Sequence, residues 1–119
     1  MSLSDLGIIE LAALLAVEST TKYTGSIDFR GCAGDAAVLL ISTAGTLAVT
    51  QQCSLDDTTW YDPVNSSNAA IGSVASAFTT STGKYISYTV VLAPYIRFKI
   101  VESTAATSVT LKLIYRKER

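Results

Sequence analysis

The sequence predicts an all-β protein: a single β-sandwich or jelly roll of about seven or eight short antiparallel strands, preceded by an apolar N-terminal arm. Two observations carry that expectation. After residue 18 the apolar residues fall in short alternating runs, with one side of each run dry and the other wet. Gly, Pro, Asp and Ser clusters separate these runs at short intervals, and no strand–helix–strand rhythm interrupts them. With 119 residues, 49% hydrophobic and 16% charged, the chain can bury one core, is too short for two, and is too apolar for a disordered chain.

The elements follow in order. Residues 1–18 form the arm and residues 19–119 the sandwich. Between Leu3 and Val17 lie eight large aliphatics, Leu3, Leu6, Ile8, Ile9, Leu11, Leu14, Leu15 and Val17, with Asp5 and Glu10 as the only charges. Burying them roughly cancels the entropy of ordering about fifteen residues of backbone, so the segment needs a surface to dock on. Its first charge is an acid, unlike a secretory signal, and the run is shorter than a membrane span. A soluble protein without a signal peptide is expected.

Ile27 and Phe29 alternate with Ser26, Asp28 and Arg30 in a half-buried strand, and Gly31 and Gly34 mark a turn. Val38-Leu39-Leu40-Ile41 reads as a strand covered on both faces. In the next strand Leu47, Val49, Cys53 and Leu55 share a face, with Gln51 as an exception. Asp56-Asp57-Thr58 is a hairpin turn, Thr59-Trp60-Tyr61 the return strand, and Trp60 beside Leu55 is expected to plug one end of the sandwich. Residues 65–83 are rich in Ser, Thr, Ala and Gly and read as a long loop with one short strand around Phe78. Loops of that length are uncommon without a role, which makes Ile71, Val74 and Phe78 possible contacts. Tyr85–Leu92, Ile96/Phe98/Ile100 and Val109/Leu111/Leu113/Tyr115 complete the strands.

The composition excludes several kinds of chemistry. Without histidine there is no Ser-His-Asp or Cys-His pair and no imidazole ligand, and no catalytic residue is expected. Nine basic against ten acidic residues argue against nucleic-acid binding, and the basic cluster Arg116, Lys117 and Arg119 reads as a solvated tail. Asp56, Asp57 and Asp62 lack the spacing of a calcium loop and read as a polar turn. Two cysteines, Cys32 and Cys53, are too few for a zinc site or a disulfide scaffold; reduced thiols are expected, close together only if their strands are neighbours. Gly31-Cys32-Ala33-Gly34 lacks phosphate-loop spacing, and Asn65-Ser66-Ser67 fits a glycosylation sequon that matters only on export. No cofactor or metal is expected. Six tyrosines and Trp60 leave a sugar- or receptor-binding module as an alternative.

A series of short motifs recurs here in a fixed order. They are Ala13-Leu14-Leu15-Ala16, Ile27-Asp28-Phe29-Arg30-Gly31, the run 36–41, Ser54-Leu55-Asp56-Asp57-Thr58-Thr59-Trp60, Gly83-Lys84-Tyr85 and Tyr95-Ile96-Arg97-Phe98-Lys99. In this order the chain resembles, over nearly its whole length, the small head decoration or cement proteins encoded beside the major capsid protein of tailed bacteriophages. It departs from them in its two cysteines and in the 65–82 loop. The resemblance implies a virion structural protein on the capsid exterior, assembled in the host cytoplasm, with a jelly-roll-like body and no catalytic residues. Its partners would be the major capsid protein and further copies of itself, as a dimer or trimer, with no nucleic acid and no membrane. The eight leader aliphatics become the docking set, placed in a groove of the capsid protein or of a symmetry mate. A tail or baseplate component is the rival within the virion.

Overall fold

A computed structural model describes residues 5–17, 21–30, 32–42, 46–78, 83–102 and 107–117, with backbone alone for 5, 13–17, 32–35, 77–78, 107 and 117. Nine strands are present among them: β1 (Asp5–Val17), β2 (Thr21–Tyr23), β3 (Ile27–Asp28), β4 (Cys32–Ser42), β5 (Leu47–Ser54), β6 (Ser73–Phe78), β7 (Lys84–Thr89), β8 (Tyr95–Glu102) and β9 (Thr107–Lys117). The first sheet has the order β1-β9-β4-β7, and the second β2-β8-β5-β6 with β3 also on β8. Every pairing is antiparallel.

Because β2 and β3 both lie on β8, they act as one interrupted strand, which reduces nine segments to two sheets of four. Successive strands then pass back and forth between the sheets at every step but β5 to β6, which are neighbours in the second, and this is the connectivity of a jelly roll. Thr24 bridges the interruption: its N–H donates to the Phe98 carbonyl (2.9 Å), and its hydroxyl accepts from the Phe98 N–H (3.0 Å).

The core comes from the alternation legible in the sequence. Ile96, Phe98 and Ile100 of β8 meet Val109, Leu111 and Leu113 of β9, with Val38 and Leu40 of β4 and Leu47 and Val49 of β5, all fully buried. Gln51, on the core side of β5, is buried as well. Its Nε2–H donates to the Val91 carbonyl (2.8 Å), and the Val91 N–H donates back to Oε1 (3.1 Å). The amide thus completes backbone groups of the segment that crosses between sheets, which is how a polar side chain survives in the core.

Two expectations are corrected. Leu55 does not join the core face but is 77% exposed. The strand ends at Ser54 because Asp56 turns the chain there: its Oδ1 accepts the Thr58 and Thr59 N–H groups (2.9 Å each) and the Ser54 hydroxyl (3.0 Å). The return strand at 59–61 is reduced to a single bridge, Tyr61 to Cys53. The short strand expected around Phe78 is β6, beginning at Ser73.

Candidate functional site

The leader is strand β1, hydrogen-bonded along β9 of its own sheet from Asp5↔Lys117 to Val17↔Thr107. Its residues divide between two sides. Ile9 and Leu11 pack partly buried against the core and Ala12 is buried, whereas Leu6 (66%) and Ile8 (71%) face outward. The register slips between Glu10 and Ala12 and again between Ala12 and Leu15, which breaks the alternation. Gly7 fixes the near end. It lies opposite Tyr115, and a Cβ at this position would overlap the tyrosine ring, so glycine lets the ring lie across the edge strand. Leu3 lies outside the described residues, as do the side chains of Leu14, Leu15 and Val17.

Register extends the outward side of β1 across the whole sheet. Leu6 lies opposite Arg116, Ile8 opposite Ile114 and Glu10 opposite Lys112. On the other flank of β9, Ile114 lies opposite Ala37, Lys112 opposite Leu39 and Thr110 opposite Ile41. Leu39 in turn lies opposite Tyr85, which is 68% exposed, and Ala37 opposite Ser87. Directly opposed residues share a face. One outer surface therefore carries an apolar band from Leu6 through Ile8, Ile114, Ala37 and Leu39 to Tyr85. A groove of about 240 Å³ opens in it between Leu6, Ala37, Tyr85, Ile114 and Arg116.

The outer surface of the second sheet is different. The Arg97 guanidinium lies 4.2 Å from the Tyr23 ring centre and 4.5 Å from that of Trp60, and its Nε–H donates to Gln52 Oε1 (2.8 Å). Gln52 Nε2–H donates onward to Asp62 (2.9 Å). Trp60 is thus half-buried on the flank of the second sheet with one ring face occupied by Arg97, and it does not plug the sandwich end beside Leu55. Segment 60–72 continues along β5, with Gly72 O accepting the Gln51 N–H (2.8 Å) and Ile71 N–H donating to Pro63 O (3.1 Å).

Of the three possible loop contacts, Ile71 is exposed, Val74 is buried in the core from β6, and the Phe78 side chain lies outside the described residues. A second apolar pocket, of about 210 Å³, lies at one sandwich end among Cys53, Ser54, Leu55, Tyr61, Leu92 and Ala93. Cys53 is a free thiol, and burial pushes its pKa up despite a hydrogen bond from Gln51. Cys32 and Cys53 sit on strands of different sheets. Burial likewise pushes the Tyr88 phenol up. Asp28 is held down at about 2 by its paired hydrogen bonds with Arg30, on the surface. Among the described residues no three His, Cys, Asp or Glu side chains gather in a metal-binding cluster.

No protein-family model matches the sequence, and no curated protein does. Solved structures do match. The SPBc2 prophage-derived protein YomS superposes with a TM-score of 0.60 at 13% identity, over 98% of this chain and 97% of that one. A chain of the T=1 particles derived from infectious bursal virus gives 0.61 at 14% identity, over 97% of this chain and 32% of that one. A protein of the Bacillus endospore appendages described as disulfide-linked pili gives 0.51 at 13% identity, over 99% and 93%. This chain spans about a third of the bursal virus chains it matches. At these identities the likeness is one of fold.

Proposed function

We propose that the protein is a virion structural protein of the cement type, which coats the outside of a tailed-phage head and bridges its subunits. The observation that carries this reading is the outward row of Leu6 and Ile8 on a strand whose other side is already docked. Aliphatics left in water over a complete core suit a surface that is covered in an assembly. A jelly roll shared with a prophage-derived protein and with chains of a virus particle supports the same reading. Stabilisation would follow from mass action, since a ligand that binds only the assembled shell at a hundred times its Kd adds about 2.7 kcal/mol per site. The reading assigns the chain no catalysis, no cofactor and no nucleic-acid contact.

The test is co-sedimentation of the protein with expanded, undecorated heads. The double variant Leu6→Asp/Ile8→Asp, whose changes lie on exposed positions, keeps its circular dichroism and loses binding by at least about tenfold. Decoration equal to wild type would sink the proposal. Recovery of the protein with purified tails, and not with heads, would replace it with the tail or baseplate reading.

A further inference from the structure

The geometry points to a second copy of this chain as the occupant of the outer β1-β9-β4-β7 face, packed back to back about a two-fold axis parallel to the strands. The inference takes from the proposed function only that this face is a contact surface. A head and a second copy compete for this face, so the dimer is the free form and opens when the protein docks.

Four features of the face select that occupant and that axis. First, Leu6, Ile8 and Tyr85 are exposed on this face, with Leu39, Ile41 and Ile114 only partly buried beside them, so apolar area is left for a partner to cover. Second, an axis parallel to the strands through the middle of the sheet lays β9 over the mate's β4 and β1 over its β7. Row by row, Ile114 then meets the mate's Ala37, large on small, and the Lys112 stem meets the mate's Leu39. Glu10 meets the mate's Tyr85, whose hydroxyl can donate to the carboxylate. No like charges oppose one another in these rows. A two-fold perpendicular to the strands at the Ile114 row would instead place Lys112 on the mate's Arg116, which like-charge repulsion disfavours.

Third, the fit is consistent with ordinary sheet packing, because twisted sheets stack about 10 Å apart with their strands within about 30°. Fourth, the area is sufficient. Four strands spaced about 4.8 Å apart over four outward rows present roughly 500 Å² per copy, so a dimer covers roughly 1,000 Å², the low end of specific interfaces. The expected species is therefore a dimer that dissociates on dilution.

Analytical ultracentrifugation of the intact protein across a dilution series tests the inference. The mass is expected to be twice that of the chain at high concentration and to fall towards one chain on dilution. Ile8→Lys/Ile114→Lys weakens the dimer on the order of a hundredfold, whereas Thr50→Lys on the outer face of β5 leaves it unchanged. The axis has its own test. In a Cys32→Ser/Cys53→Ser background, Glu10→Cys/Tyr85→Cys is treated with a short bismaleimide. The two positions are three strand spacings apart in one chain, about 14 Å, too far for that reagent, so a covalent dimer reports the contact between copies. A single-chain mass at every concentration, a dimer indifferent to Ile8→Lys/Ile114→Lys, or no covalent dimer would each overturn the inference. A monomer that still coats heads would remove this inference and leave the function standing, and a dimer that ignores heads would do the reverse.

Discussion

The two sheets share one core and the same number of strand positions, yet their outer surfaces are finished differently. On the second sheet, Arg97 is held between Tyr23 and Trp60, Gln52 links it to Asp62, and the chain from 60 to 72 runs on beside β5. On the first sheet, Leu6, Ile8 and Tyr85 stand in solvent around Ile114 and Leu39. Polar residues on the second surface make bonds within the chain. On the first surface Leu6, Ile8 and Tyr85 stand exposed among Glu10, Lys112 and Arg116, with no cover from the described chain comparable to segment 60–72. The contrast is what places the proposed contact on a face of the sandwich and not at its end.

Substitutions can break or sharpen this contrast. The largest effect tests the core that both surfaces share. Gln51→Leu leaves the Val91 N–H and C=O without their partners and costs about 2–4 kcal/mol in urea unfolding, at two unsatisfied buried groups. Next, Gly7→Val drives a side chain into the Tyr115 ring and lifts the near end of β1. It costs about 1–3 kcal/mol, with amide exchange rising first in β1. It should also abolish docking, because Leu6 and Ile8 flank it. Arg97→Ala loosens the covered surface by about 1 kcal/mol and shifts Trp60 emission to the red while leaving docking intact.

The smallest effect is in acid. Backbone N–H donors from Thr59 and Thr58, with the Ser54 hydroxyl, hold the Asp56 carboxyl below its ordinary 3.8. A depressed carboxyl contributes its stability above the unfolded value and loses it as pH falls through the folded one. Wild type should therefore lose stability below pH 3.8 more steeply than Asp56→Asn, and an acid titration of the unfolding midpoint checks the difference.

The fold was largely legible because alternation in β8 and β9 is strict: every second residue from Ile96 to Ile100 and from Val109 to Leu113 is buried. The leader was harder to read. Two register slips hide its alternation, and the Gly7–Tyr115 fit joins residues far apart in the chain. Leu55 continued the pattern of β5 on paper, but Asp56 ends the strand first. Gln51 was visible as an exception, while its partner Val91 was not. The candidate face was legible only in part. Leu6 and Ile8 were marked by their apolar run, but Ile114, Leu39 and Tyr85 join them through pairings among four strands that no local pattern announces.

Hydroxyl-radical footprinting of the protein in its assembled and dissociated states tests the contrast most directly, because both surfaces carry reactive side chains. Assembly is expected to protect Leu6, Ile8, Ile114 and Tyr85 and to leave Tyr23 and Trp60 as reactive as before. Protection of Tyr23 and Trp60 with Leu6 and Tyr85 unchanged would contradict the account.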